Sequence, residues 1–140
     1  MRLLFFIVGF FIFSNAFAQS GVYINEPKNS DGTKIKWTLT LEKDGTFLYH
    51  FLRDLSAISK ANTEENYYGK GAWVLEGKSV ILLSKKEDEL KGQYSLNLNN
   101  SKARYITKSP RDKSDKVIKT ALRFYESETF HIKGLELFKE

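Results

Sequence analysis

Ile35-Lys36-Trp37-Thr38-Leu39-Thr40-Leu41-Glu42-Lys43-Asp44-Gly45-Thr46-Phe47-Leu48-Tyr49-His50-Phe51-Leu52-Arg53-Asp54 reads as two strands joined by a tight turn. On the outward run Ile35, Trp37, Leu39 and Leu41 alternate with Lys36, Thr38, Thr40 and Glu42, so one face is apolar and the other is wetted. Asp44-Gly45 supplies the turn, because hairpin turns need backbone conformations that Gly adopts at little cost. The return run interleaves Phe47, Tyr49 and Phe51 with Leu48, His50 and Leu52, which leaves both of its faces largely apolar. A second hairpin, Lys70 to Ser84, repeats the device: Gly77-Lys78 separates Ala72-Trp73-Val74-Leu75 from Val80-Ile81-Leu82-Leu83.

Outward from this pair the same period continues. Gly21-Val22-Tyr23-Ile24 reads as a short first strand, ended by Glu26-Pro27 and the polar turn Asn29-Ser30-Asp31-Gly32. The polar stretch Leu55 to Asn66, between the hairpins, forms either a short helix or an open loop over one end of the fold. Tyr94, Leu96 and Leu98 alternate with Gln93, Ser95 and Asn97, and after the turn at Asn99-Asn100-Ser101 the run Ala103 to Thr107 returns. A loop from Lys108 to Asp115 carries Pro110, and a strand resumes by Thr120 with Leu122 and Phe124 on one face. Val117, Ile118, Ala121 and Leu122 would equally fit one helical turn. The last hairpin turns at Ser127-Glu128 into Phe130 to Phe138, where Gly134 marks a bulge or bend. Eight or nine short strands with no long crossover predict an all-β fold, a single antiparallel up-and-down β-barrel of about eight strands. Closure removes the strand edges that so short a chain would otherwise expose.

The N-terminus predicts export. Arg2 precedes the apolar run Leu3 to Phe13 and the small-residue site Ala16-Phe17-Ala18, the pattern of a signal peptide over residues 1–18, cleaved after Ala18. The run is well short of the roughly 20 residues that a membrane span needs, so no transmembrane anchor is expected in the mature chain. Residues 19–140 then form one domain. The chain has no Cys, which excludes an acylated N-terminal Cys and a disulfide framework. The expected location is periplasmic or secreted, without a lipid anchor. Processing removes one of 22 bases and none of 17 acids, a mildly basic balance that predicts no nucleic-acid partner.

The runs Leu39-Thr40-Leu41-Glu42-Lys43-Asp44-Gly45-Thr46-Phe47 and Gly71-Ala72-Trp73-Val74-Leu75-Glu76-Gly77-Lys78-Ser79-Val80-Ile81-Leu82 resemble the LxLxxDGTF and GxWxxxGxxIxL pattern of small bacterial lipocalin-like domains. This group includes the N-terminal barrel of envelope copper-resistance lipoproteins. Gly21-Val22-Tyr23 is similar to the G-x-W/Y of a first lipocalin strand. The motif covers residues 35 to 83, and the strand order covers most of the mature chain. The resemblance implies an eight-stranded barrel whose interior holds an apolar ligand. The lipoproteins' acylated Cys and Cys-x-x-Cys are absent here, so metal sensing and lipid anchoring do not carry over.

Chemistry-bearing motifs are few. Without Cys, a nucleophile would be Ser or Thr with a His base, and the two histidines, His50 and His131, lie in no recognisable motif. Far apart in sequence, they also lack the close spacing of a metal-binding pair. Glu87-Asp88-Glu89 lacks the regular oxygen spacing of a calcium loop and reads as a solvated turn. Gly69-Lys70-Gly71 opens a strand and lacks the helix that a phosphate loop needs. The expectation is a non-enzymatic binding protein with no cofactor and no metal.

Two groups of residues are candidates for that binding. Trp37, Tyr49, Trp73, Tyr94, Tyr105 and Phe124 are candidate barrel-lining residues. Eight-stranded barrels either fill their interior or hold one small ligand, so this set forms either a plug or a pocket for a small hydrophobic molecule. Lys102 to Lys119 holds seven bases against Asp112 and Asp115. Arg111, Lys113 and Lys116 in it are a candidate patch for an envelope protein or an anionic surface, the alternative being a solubilising loop that protects strand edges.

Overall fold

The computed structural model describes residues 18–59, 63–85, 94–129 and 131–140. Residues 1–17 of the predicted signal peptide and the acidic turn Glu87-Asp88-Glu89 lie outside the described residues. Among the described residues there are nine strands: β1 (Gly21–Asn25), β2 (Lys34–Leu41), β3 (Thr46–Asp54), β4 (Glu64–Glu76), β5 (Ser79–Leu83), β6 (Tyr94–Ser95), β7 (Ser101–Ile106), β8 (Ala121–Glu126) and β9 (Glu136–Lys139). Each of β1, β2, β3, β4, β5, β7, β8 and β9 pairs antiparallel with the next, and β9 closes on β1. The result is an eight-stranded up-and-down β-barrel. Strand β6 pairs in parallel with β4 at Tyr67 and Tyr68, on the β5 side and beyond the end of β5.

The alternation read from the sequence sets the register. Tyr23, Leu39, Tyr49 and Gly69 lie in one row across β1 to β4, and Leu41, Phe47 and Gly71 in the next. With Trp73, Val80, Leu82, Leu98, Ala103, Leu122, Phe124 and Leu137 they fill the barrel body, each nearly free of solvent contact apart from the half-buried Gly71. Trp73 satisfies its indole by donating Nε1–H to the Glu42 carbonyl at 2.9 Å. Gly71 permits a close approach: a Cβ there would stand 2.1 Å from the Leu83 carbonyl oxygen.

The structure corrects several boundaries. Strand β4 begins at Glu64, so Glu64, Glu65 and Asn66 are strand, although their polarity reads as connection. They pair with Asp54, Arg53 and Leu52 of β3, and inward-facing Glu65 meets Arg53 rather than apolar core. The run around Leu96 contains only the two-residue β6. Strand β9 is restricted to Glu136–Lys139, because residues 131–134 form a turn. In that turn Gly134, at φ +90°, donates to the Phe124 carbonyl while Leu135 accepts from Phe124, so two residues oppose one in a bulge. Val117 and Ile118 form no helical turn, and β8 starts just beyond them.

Candidate functional site

The barrel has two unlike ends. The β2–β3 and β4–β5 turns, the β7–β8 loop and the start of β1 share one end. The other end has the β1–β2, β3–β4 and β8–β9 connections. At this second end β4 outruns β5: β5 stops at Leu83, opposite Ala72, while β4 reaches back to Glu64. Among the described residues the gap is only partly covered. Leu96 donates its amide to the Tyr68 carbonyl at 2.7 Å, Leu98 packs where Gly69 lacks a side chain, and Thr129 of the β8–β9 connection donates to the Asn97 carbonyl.

A cleft of about 460 Å³ remains, lined by Ile35, Trp37, Tyr49, Phe51, Arg53, Glu65, Tyr67, Leu96, His131 and Ile132. This volume lies within the usual range for small-molecule pockets, roughly 300–1,000 Å³. Trp37, Phe51 and Tyr67 stand in register on β2, β3 and β4. Their rings form a tilted wall, with centroids 5.3 Å apart for Trp37–Phe51 and 6.0 Å for Phe51–Tyr67, an arrangement aromatic pairs favour. Tyr49 lies one row deeper. One row further out, Arg53 Nη2 meets Glu65 Oε2 at 2.5 Å, and the Tyr67 hydroxyl donates to the same oxygen at 3.3 Å. Arg53 Nε is buried without a partner among the described residues. His131 completes the rim in a left-handed conformation, φ +68°, uncommon outside glycine and concentrated at functional positions.

The candidate lining residues therefore divide. Trp37 and Tyr49 lie in the cleft, whereas Trp73 and Phe124 belong to the packed body and Tyr105 packs against it, donating to the Ala18 carbonyl at 3.4 Å. The Tyr94 side chain lies outside the described residues. Among the described residues the barrel interior is both plug and pocket, solid below Tyr49 and open above it. Ile35, Phe51, Arg53, Glu65, Tyr67 and Ile132 were not among the sequence-derived candidates. The period-2 pattern puts Ile35 on the apolar face with Trp37 but leaves both faces of the Phe51 run apolar, and it does not show where β5 stops.

The two histidines are apart in their roles. His50 stacks on Tyr68 on the outer face, ring centroids 4.6 Å apart, and its Nε2 hydrogen-bonds Asn66 Oδ1 at 2.8 Å, while His131 is at the cleft rim. No group of three or more His, Cys, Asp or Glu side chains suited to a metal occurs among the described residues.

The basic residues also divide. Lys102 pairs with Glu126 at 3.4 Å, and Arg104 lies on β7. Arg111, Lys113 and Lys116 are exposed on the β7–β8 loop at the end opposite the cleft. Asp112 shapes this loop by accepting from the Ser114 amide at 2.9 Å and hydroxyl at 2.6 Å, and Lys108 donates to the Ser114 carbonyl. Searches of protein-family models, curated proteins and solved structures find no match to this chain.

Proposed function

We propose that this protein is an exported, non-enzymatic binding barrel that takes a small, largely apolar molecule into the cleft at the mouth of its interior. The observation that carries the reading is the aromatic wall Trp37–Phe51–Tyr67 left open above a solid core. A folded chain gains by covering such rings, and a cavity with apolar walls and a few polar groups is the usual form of a ligand site. The lipocalin-like motif of residues 35 to 83 supports the same reading. The signal-peptide pattern of residues 1–18 supports a periplasmic or secreted location. Titration with naphthalene, followed by tryptophan emission, tests the proposal. Saturable quenching in wild type that is lost in Trp37→Phe and kept in Trp73→Phe is expected. Absence of saturable binding would overturn it.

A second reading concerns the opposite end and is favoured by one observation. Val117 is 91% exposed on a loop where Arg111, Lys113, Lys116 and Lys119 outnumber Asp112 and Asp115. An apolar tip among cations complements an anionic phospholipid surface, where the tip enters the headgroup region and the cations meet the phosphates. The protein should therefore co-sediment with phosphatidylglycerol vesicles and not with phosphatidylcholine vesicles. Val117→Asp and Lys113→Glu/Lys116→Glu should each weaken this binding. Unchanged binding in either variant would sink the reading.

A further inference from the structure

The tyrosine hydroxyls of the fold are mostly paired. Tyr23 donates to the Gln19 carbonyl at 2.6 Å, Tyr67 to Glu65, Tyr105, before processing, to Ala18, and Tyr125 shares a hydrogen bond with Ser79 Oγ at 2.9 Å. Tyr49 differs. It is only 1% exposed, yet its hydroxyl has no partner among the described residues. At the inner part of an apolar cleft, such a hydroxyl is open to a ligand, and a polar group of this kind usually fixes ligand orientation. Tyr49 lines the inner part of the cleft, flanked in register by Leu39 and Gly69.

We propose that the Tyr49 hydroxyl is the polar group that orients the ligand, and that the ligand is a flat, largely apolar molecule with a neutral hydroxyl or carbonyl oxygen at its buried end. The inference rests on the cleft being a ligand site and adds what that site selects. Flatness follows from the wall of Trp37, Phe51 and Tyr67 rings. Neutrality follows from where the charges lie: Arg53 and Glu65 are two rows out from Leu39, Tyr49 and Gly69, so a carboxylate at Tyr49 would lose water without a counter-charge. Burial also raises the Tyr49 pKa, so the phenol keeps its proton and can both donate and accept.

Tyr49→Phe removes one atom and leaves the shape. Equilibrium dialysis of wild type and Tyr49→Phe against 2-naphthol, naphthalene and 2-naphthoate, each measured by its own absorbance, tests the proposal. Wild type should bind 2-naphthol about five-fold more tightly than naphthalene, the usual worth of one net hydrogen bond, and 2-naphthoate no better than naphthalene. In Tyr49→Phe the naphthol advantage should disappear while naphthalene affinity stays the same. If both ligands bind and the ratio survives the substitution, the role of Tyr49 is overturned and the cleft reading stands. If no ligand binds wild type, both fall. The thermal midpoint of Tyr49→Phe should match or exceed that of wild type, and a marked drop would assign the hydroxyl to the fold instead.

Discussion

Arg53 and Glu65 stand directly opposite each other on β3 and β4, Nη2 to Oε2 2.5 Å apart, at the rim of the cleft. The two side chains are 42% and 35% exposed, so water screens the pair and its worth to stability is small, about 0–1 kcal/mol. Its larger effect is on charge at the cleft mouth, where the carboxylate neutralises the guanidinium. Glu65→Gln should leave the unfolding free energy within about 1 kcal/mol of wild type and improve 2-naphthoate binding relative to 2-naphthol. Unchanged relative affinity in the dialysis measurement would remove Arg53 from the ligand's surroundings.

The two tryptophans should respond to different events. Trp73 is 5% exposed in the packed body with its indole N–H satisfied, whereas Trp37 is half-buried at the cleft. Trp73→Ala should cost about 3–5 kcal/mol, the usual loss for a large buried aromatic, and Trp37→Ala about 1 kcal/mol. Urea denaturation monitored by circular dichroism gives both values. Equal costs would mean that the cleft is packed as tightly as the core.

The division between these residues marks how far the sequence is legible. The turns at Asp44-Gly45 and Gly77-Lys78 and the alternation through Trp37, Leu39, Tyr49 and Trp73 determine strand order and inner face, because period 2 depends only on local geometry. The cleft depends on a difference in length between β4 and β5, which is a tertiary quantity. Glu64-Glu65-Asn66 reads as loop by composition, and its pairing with Leu52, Arg53 and Asp54 of β3 makes it strand. Tyr49 and Trp73 look alike in the sequence, and it is the end of β5 that puts one in a cleft and the other in the core.

Gly71 tests that strand geometry directly. A Cβ there would meet the Leu83 carbonyl oxygen at 2.1 Å and Phe47 Cε1 at 3.0 Å, and the backbone atom cannot step aside without moving β5. Gly71→Ala should cost about 3 kcal/mol or more, at the upper end of overpacking effects. Gly134→Ala is the contrast: the space is open, but φ is +90°, so about 1 kcal/mol is expected. Comparable urea midpoints for the two variants would refute the close approach of β4 and β5.

Acid should loosen the fold through its turns. Asp31, Asp44 and Asp112 each accept from the amide and hydroxyl of the residue two positions on, Thr33, Thr46 and Ser114, with hydroxyl distances of 2.6 Å. Asp54 does the same for the Ser56 amide at 2.9 Å. These bonds favour the charged carboxylates and hold all four below the ordinary aspartate range. The native state therefore takes up protons less readily than the unfolded chain, whose aspartates titrate near pH 3.9. The stability from these turns is fully present above about pH 4 and is lost as pH falls through the depressed native values. Urea midpoints should accordingly hold level from neutral pH to about 5 and drop below about 4. Asp44→Ala/Asp112→Ala should lower the neutral midpoint and make the acid decline shallower, because two of the groups that link folding to protons are gone. An acid decline as steep as wild type in this variant would place the linkage elsewhere, with Asp31 and Asp54 the next groups to test.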